Sequence, residues 1–284
     1  MEGSVERAPV VMTGGTSGIG RAAALELARR GLAIVLLVRD PVRGDSTAQE
    51  LIRAGADPTM VVECDLSLMS SVRRASAELH ARCQRIGVLI NDASVFLRDR
   101  QLTSEGHERM FATNVLGPFL LTQLLLDLLI AAAPSRVINV TAPSTVPPNP
   151  VDIDSAGRFA AARVFGQTKA AELMMTYKLA RRLLDAGVTV NACHPGITRA
   201  TGLMRDAPLS MRVFSLLVNL PARSPERAGQ GLAALAVSPA FERTTGALLH
   251  DGKPIKAPFA DDLAAQDRLW SALEKAAAPR DGAH

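Results

Sequence analysis

The chain has 284 residues, of which 48% are hydrophobic and 21% charged, a composition typical of one large globular α/β domain with a full core. Its net charge of +4 comes without a Lys/Arg cluster interleaved with aromatic side chains, which argues against a nucleic-acid partner. The three cysteines, Cys64, Cys83 and Cys193, form no CxxC pair, so neither a disulfide framework nor a metal site is expected. The polar residues 1–7 and the short apolar runs predict no signal peptide, no membrane anchor and a cytoplasmic protein.

A glycine-rich turn at residues 13–21 follows the first apolar run, residues 8–12, and precedes a helix predicted for residues 22–30. Gly14, Gly18 and Gly20 have the spacing of a turn that passes under a dinucleotide. They allow, in order, a tight exit from the strand, a close approach to the pyrophosphate and close helix–strand packing. Glycines also mark ordinary turns, but the strand before and the helix after are the context that a dinucleotide site requires.

The second predicted strand, residues 33–38, ends at Arg39-Asp40. In a dinucleotide fold this end lies beside the adenosine ribose, where an acidic side chain binds the 2′-hydroxyl and an arginine accommodates a 2′-phosphate. Arg39 therefore predicts NADPH as the cofactor, with weaker binding of NADH and with Arg43 as a second cation. The alternative is a surface arginine, and the neighbouring Asp40 leaves that alternative open.

Strand-like and helix-like segments alternate along the rest of the chain. This alternation predicts a doubly wound (Rossmann) parallel sheet of about seven strands with helices on both faces, in a single domain over residues 1–284. The further strands are predicted at residues 60–64, 88–90, 136–141 and 188–193, and the further helices at residues 49–54, 70–83, 111–117, 118–130 and 163–184.

Several motifs resemble those of the short-chain dehydrogenase/reductase family, in its order and spacing, over nearly the whole chain. They are residues 13–20, Asp65-Leu66, residues 89–93, Asn114, residues 136–140, Lys169 and His194-Pro195-Gly196. The retinol-dehydrogenase-like branch is the more similar one. Its marks are residues 37–40, 223–226, 236–239, 246–249 and 267–270.

The resemblance implies roles for individual residues. Asp65 and Leu66 would flank the adenine, Asn91 and Ala93 would line the middle of the cofactor, and residues 195–198 would lie against the nicotinamide. Lys169 would hold the nicotinamide ribose, with Asn114 anchoring a water behind it. Asp92 and Ser94 depart from the family's usual Asn and Gly. The predicted cofactor-binding residues are Gly14, Thr16, Ser17, Gly18, Ile19, Arg39, Asp65, Leu66, Asn91, Ala93, Lys169, Pro195, Gly196, Ile197 and Thr198, and the predicted catalytic residues are Lys169, Asn114 and Ser144.

The two proton-handling groups that the family uses do not stand at their expected positions. The family's chemistry depends on Tyr-x-x-x-Lys and an upstream serine, whereas this chain has Phe165 four residues before Lys169 and Ala142 at the serine position. A phenylalanine has no proton to donate. Both groups are therefore predicted to be lost while the cofactor residues remain.

No replacement acid is evident among the nearby residues. Tyr177, the only tyrosine, lies three helical turns beyond Phe165, roughly 18 Å along the axis, and is predicted to be a packing residue. Ser144 or Thr141 could take over the hydrogen bond of the serine, and His194 stands at the edge of the predicted site. These alternatives remain open at the level of sequence.

Two functions are consistent with these residues. The first is an atypical NADPH-dependent ketoreductase that takes its proton from a phenol of a polycyclic aromatic (polyketide) ketone. The second is a non-catalytic NADP(H)-binding protein, a redox sensor or scaffold. The retained Lys169 and Asn114 favour the first, as does an apolar segment at about residues 198–225, which the family uses as a substrate lid. That segment could instead pack on the core or form a subunit interface, so a homo-oligomer is possible.

Overall fold

The computed structural model describes residues 8–157, 159–196, 198 and 223–279. An eight-stranded sheet runs through this part of the chain in the order β3-β2-β1-β4-β5-β6-β7-β8. The first seven strands are parallel, and β8 pairs antiparallel with β7. The strands are β1 (Val10–Thr13), β2 (Ile34–Val38), β3 (Thr59–Glu63), β4 (Val88–Asn91), β5 (Ser135–Val140), β6 (Val188–Cys193), β7 (Leu248–His250) and β8 (Lys253–Pro254).

Helices cover both faces of this sheet. The helices are α1 (Gly18–Arg29), α2 (Pro41–Ala54), α3 (Met69–Arg82), α4 (Arg109–Phe111), α5 (Gly117–Leu124), α6 (Leu126–Ala131), α7 (Ala161–Arg182), α8 (Pro225–Val237) and α9 (Leu263–Ala277). A core with α1, α2 and α8 lies on one face, and a core with α3, α5, α7 and α9 lies on the other. The predicted doubly wound parallel sheet is thus confirmed, with a short antiparallel strand added at one edge.

Most boundaries differ by one or two residues from those predicted from the sequence, and three helices differ by more. Helix α1 begins at Gly18 rather than residue 22, so the glycine turn passes directly into the helix. Helix α2 begins at Pro41, because the Asp40 side chain accepts a hydrogen bond from the Arg43 amide and caps it. The helix predicted for residues 118–130 is interrupted at Leu125, which leaves helical backbone angles and separates α5 from α6.

The order of the strands determines where a ligand can lie. Strand β1 lies between β2 and β4, so the chain crosses from one side of β1 to the other after β3. Ligands of such sheets bind at the carboxyl ends of the strands, at the point where the order reverses. The turns after β1, β2 and β4 meet there. Among the described residues, no helix is both long enough and apolar enough to cross a membrane.

Candidate active site

The turn after β1 is shaped by glycines that no other residue could replace without displacement. Gly14 and Gly18 have φ angles of +73° and +52°, in the left-handed region that favours glycine. A Cβ on Gly14 would lie 2.7 Å from the Ala93 nitrogen, and a Cβ on Gly20 would lie 2.5 Å from the Gly14 carbonyl oxygen. The turn therefore packs directly on the loop after β4, and α1 packs directly on the turn.

The N-terminus of α1 is open to an anion. Ser17 is the N-cap, but its side chain makes no capping hydrogen bond with the amides of the first turn. The Gly20 amide donates to the Asp92 carboxyl. The other amides of this turn carry the positive end of the helix dipole, which favours a phosphate. The predicted pyrophosphate residues Thr16, Ser17, Gly18 and Ile19 lie together at this point. A dinucleotide therefore fits this end of the sheet.

Two arginines flank the end of β2. Arg39 and Arg43 are both exposed, and the Arg43 guanidinium donates a hydrogen bond to the Thr16 carbonyl at 3.1 Å. Asp40 lies between them, but its carboxylate caps α2. Its proximity in sequence therefore does not make it the ribose-binding acid. The exposed charge at the end of β2 that does not cap a helix is therefore positive.

The loop after β3 holds Asp65 and Leu66. One carboxylate oxygen of Asp65 accepts hydrogen bonds from the Ser67 amide and hydroxyl at 2.9 and 2.7 Å. Leu66 is buried against Gly117, where a Cβ would lie 2.2 Å from the Leu66 carbonyl oxygen. The loop is thereby fixed at the same end of the sheet as the glycine turn, where an adenine ring would lie.

The Asn91 side chain points into the sheet interior rather than into the cofactor cleft. Its amide donates to Asn139 at 2.8 Å and to Thr122 at 3.2 Å, on the face covered by α5 and α7. A cofactor contact at this position would therefore come from the backbone. The neighbouring Ala93 amide, together with that of Asp92, donates to the Thr13 hydroxyl, which ties the loop after β4 to β1.

Asp92 places a carboxyl group against the glycine turn. It accepts a hydrogen bond from the Gly20 amide, and burial raises its pKa from 3.8 to about 7, although Lys169 and that amide act in the opposite direction. The folded protein therefore holds a proton on Asp92 between about pH 4 and pH 7, where the unfolded chain has lost it. In that interval, the contribution of Asp92 makes the free energy of unfolding fall as the pH rises. Above about pH 7 the buried carboxylate is charged, and its full cost to stability is present.

Asp92→Asn is expected to stabilise the protein at pH 8 and to leave it nearly unchanged at pH 5. An amide oxygen accepts the Gly20 hydrogen bond without carrying the buried charge. Urea unfolding at the two pH values measures the difference, and Asp45→Asn, at an exposed position of α2, controls for the loss of one carboxylate. Equal stabilisation at both pH values would show that the Asp92 charge is not penalised.

Lys169 lies on α7 in a buried polar cluster with Ser94 and Glu172. Its ammonium contacts the Ser94 hydroxyl at 3.1 Å and both carboxylate oxygens of Glu172 at 3.0 and 3.1 Å. The two residues are buried, with 6% and 5% of their surface exposed. Burial raises the pKa of Glu172, while Lys169 and Thr141 act to lower it. Glu172 was not among the residues predicted from the sequence; its signal there is a lone acid in the apolar run 170–175.

The side chains of three candidate residues bind backbone groups of the protein: Asn114, Ser144 and Thr141. Asn114 lies in a π-helical turn, Ala112–Leu116, and its amide binds both backbone groups of Val95, at 2.8 and 3.0 Å. The Ser144 hydroxyl donates to the Gly166 carbonyl at 2.7 Å, and the Thr141 hydroxyl donates to the Lys169 carbonyl at 3.1 Å. Because the Ser144 hydroxyl proton is already donated to a backbone carbonyl of α7, Ser144 is a poor candidate for the acid that protonates a substrate.

The other candidate acids are the aromatic and histidine side chains, whose packing and charge the structure defines. Phe165 packs edge-on against Phe96, with ring centroids 5.5 Å apart, and the Lys169 ammonium lies 5.3 Å from the Phe165 centroid. Tyr177 is 3% exposed in an apolar cluster, and burial raises its pKa to about 12, in line with a packing role. Burial and the neighbouring His250 lower the pKa of His194, so its imidazole is neutral at pH 7 and a poor acid.

The turn after β6 leads to the predicted nicotinamide residues. Gly196 has a φ of +78°, and the Thr198 hydroxyl donates to its carbonyl at 3.3 Å. Thr198 also forms a parallel bridge with Arg223, whose guanidinium pairs with Asp251. Pro195 and Gly196 therefore stand at the carboxyl end of β6. Ile197 and residues 199–222, which include most of the predicted lid, lie outside the described residues.

Known proteins are similar to this chain in sequence and in fold. The family model described as short chain dehydrogenase matches residues 8–210. Retinol dehydrogenase 13 from Homo sapiens is 36% identical over 274 residues, which cover 92% of this chain and 82% of that protein. Retinol dehydrogenase 14 from Mus musculus is 37% identical over 281 residues, covering 93% and 84%.

Two solved structures extend the comparison. An uncharacterized protein from Mycobacterium paratuberculosis has a TM-score of 0.74 at 29% identity, covering 96% of this chain and 94% of that one. The RhlG/NADP active-site complex of Pseudomonas aeruginosa has a TM-score of 0.66 at 27% identity, covering 87% and 96%. The chain described here belongs to the short-chain dehydrogenase/reductase family of oxidoreductases.

Proposed function

We propose that the protein is an NADPH-dependent ketoreductase for a bulky polycyclic aromatic ketone that supplies its own proton. The observation that carries this proposal is the combination found on α7. Lys169 stands on α7 at the position of the family's lysine, while the position one turn before it holds Phe165. The cradle serves a cofactor that provides a hydride when bound.

The cofactor preference rests on the end of β2. A 2′-phosphate beside Arg39 would meet a cation, and Arg43, fixed on the Thr16 carbonyl, adds a second one. The residues that would hold the rest of NADPH are those of the glycine turn, Asp65, the Ala93 backbone and Lys169. RhlG of Pseudomonas aeruginosa, which shares the fold, forms a complex with NADP, and this supports the same cofactor.

Arg39→Ala is expected to weaken NADPH binding by roughly 10- to 100-fold and to change NADH binding little, because a charge-assisted hydrogen bond contributes about 1.5–3 kcal/mol. Titration of cofactor fluorescence measures both affinities. Arg53→Ala, at an exposed position near the end of α2, is the matched control. Identical titration curves for NADPH and NADH in the unmutated protein would contradict the preference.

The proton requires a donor, and the side chains described nearest Lys169 point to the substrate as its source. Hydride addition to a ketone leaves an alkoxide, which is costly in an apolar pocket. Around Lys169, the Ser144 proton is committed to a backbone carbonyl and His194 is neutral. A phenolic hydroxyl next to the ketone on a fused ring, with a pKa of about 10, is already within hydrogen-bond reach.

Atoms and charges balance in the reaction. Bound NADPH would supply a hydride to the ketone carbon and become NADP⁺, and the ketone oxygen would gain the phenolic proton. The resulting phenolate regains a proton from solvent after release. Within the protein, Lys169 would orient the nicotinamide ribose, and the half-buried Phe165, packed on Phe96, would supply apolar surface for a flat ring.

The substrate class follows from this chemistry. Hydroxy-ketones on fused aromatic rings are typical of aromatic polyketides, and the apolar residues of the predicted lid suit such rings. With Phe165 and Ala142 at the family's tyrosine and serine positions, the chain resembles the angucyclinone ketoreductase of simocyclinone biosynthesis. This resemblance supports a role in tailoring an angucyclinone-type polyketide during antibiotic biosynthesis.

Restoring the phenol, Phe165→Tyr, is expected to give little gain in kcat on a ketone that carries the neighbouring hydroxyl. The substrate already holds an acid there, and the added hydroxyl enters a site packed without it. Phe159→Tyr, in the same apolar cluster, controls for an extra hydroxyl. A gain of about 10²–10⁴-fold, the range of a positioned general acid, would mean that the site is simply crippled.

A non-catalytic NADP(H)-binding protein remains the second candidate. The observation that favours it is the bidentate contact of Glu172 with Lys169, which gives the lysine a partner without any substrate. Incubation with NADPH and a polycyclic hydroxy-ketone separates the two candidates. Oxidation of NADPH with formation of the alcohol supports the ketoreductase, whereas tight binding of NADPH with no turnover of any such ketone supports the sensor or scaffold.

A further inference from the structure

A buried carboxylate occupies the face of α7 that carries the active-site lysine. Phe165, Lys169 and Glu172 stand at positions i, i+4 and i+7 of that helix and so share one face. Both Glu172 oxygens lie within 3.1 Å of the Lys169 ammonium, and the Thr141 and Ser94 hydroxyls complete the surroundings of the pair. A pair this buried requires such complete bonding to persist.

The pairing with Glu172 changes the effect of Lys169 on the pKa of a neighbouring acid. A lone ammonium lowers the pKa of a nearby phenol, because it favours the phenolate. Here the carboxylate lies about 3 Å from the ammonium, closer than the 5.3 Å between that ammonium and the Phe165 ring centroid. The field at the ring is then that of a dipole rather than of a single charge. Asp92, on the loop after β4, also acts on both members of the pair.

We propose that Glu172 is a positioning residue that holds the Lys169 ammonium toward the cofactor and offsets its charge. A phenol next to Lys169 then keeps an ordinary pKa and stays protonated at neutral pH. That state is the one required of a substrate phenol that must deliver a proton, since a phenol acidified well below pH 7 has none left to give. The relevance to a substrate rests on the proposed function, whereas the offset of charge does not.

A phenol introduced at position 165 reports the local field without any substrate. The unmutated chain has one tyrosine, Tyr177, whose pKa of about 12 leaves the absorbance of phenolate flat below pH 10. In Phe165→Tyr the introduced phenol is expected to titrate at about 10 or above. In Phe165→Tyr/Glu172→Gln its pKa is expected to fall by about one unit or more, a tenfold or larger rise in its ionisation constant.

The matched control is Phe165→Tyr/Glu78→Gln, which removes a carboxylate from the surface pair with Arg82 and should leave the titration unchanged. A second variant, Phe165→Tyr/Lys169→Met/Glu172→Met, removes both charges and avoids a lone buried ammonium. Its introduced phenol should titrate as in Phe165→Tyr alone, because the pair contributes little net field.

Two results would overturn the proposal. One is an unchanged titration after Glu172→Gln. The other is a clear rise of the phenol pKa when both charges are removed, since that would mean that the lysine acts unopposed. Neither measurement needs a ketone or turnover, so failure of the ketoreductase assay leaves this test intact.

Discussion

Lys169→Met is expected to lower the free energy of unfolding by about 3–5 kcal/mol, because it leaves the Glu172 carboxylate buried without its partner. The contacts that it removes are the ammonium–carboxylate distances of 3.0 and 3.1 Å and the bond to Ser94. It should also weaken NADPH binding, since Lys169 is the group proposed to hold the nicotinamide ribose. Urea unfolding without cofactor and a cofactor titration measure the two losses separately.

Two further variants identify the cause. Lys169→Met/Glu172→Met should recover most of the lost stability, since well-packed apolar residues often replace a buried ion pair without loss. It should not recover the affinity for NADPH. Lys178→Met, on the same helix, removes an exposed ion pair with Asp267 and should cost at most about 1 kcal/mol. Equal losses for Lys169→Met and Lys178→Met would mean that the buried pair is not a stabilising contact.

The fold could be predicted from the sequence because local patterns determine it. Buried parallel strands appear as continuous apolar runs, and the glycine turn is dictated by close approaches that only glycine allows. The helix starts follow less directly from such patterns. Helix α1 begins at Gly18, inside the glycine motif, whereas the Ala/Leu pattern used to predict it begins only at residue 22.

The candidate site could be predicted only in part. Spacing brought Lys169, Asp65 and the glycine turn to one end of the sheet, but it could not show which side chains were already bonded. Ser144 is committed to the Gly166 carbonyl, and the Asn91 amide to the sheet interior. The helical period puts Glu172 on the face of Lys169, yet only the packing of α7 shows that this face is buried.

Methylation of the phenol next to the ketone is expected to lower kcat by about 10²–10⁴-fold, the contribution of a positioned general acid. This corresponds to roughly 3–5 kcal/mol of barrier. Of the groups described around Lys169, Phe165 has no proton to donate, the Ser144 hydroxyl donates to the Gly166 carbonyl, and His194 is neutral at pH 7. If a group of the protein donated the proton instead, the free phenol and its methyl ether would be reduced with similar kcat values.

The central claim is therefore tested by turnover of three ketones that share one ring system. The first carries a free hydroxyl beside the carbonyl, the second a methyl ether, and the third hydrogen at that position, which removes the steric effect of the methyl group. Inhibition of the reduction of the first ketone by each of the other two, with the enzyme saturated with NADPH, confirms that all three bind. The substrate-held proton predicts fast reduction of the first ketone alone and slow reduction of the other two, whereas equal kcat values for all three would contradict it and return the search to Thr141, Ser144 or a water held by Asn114 and Lys169.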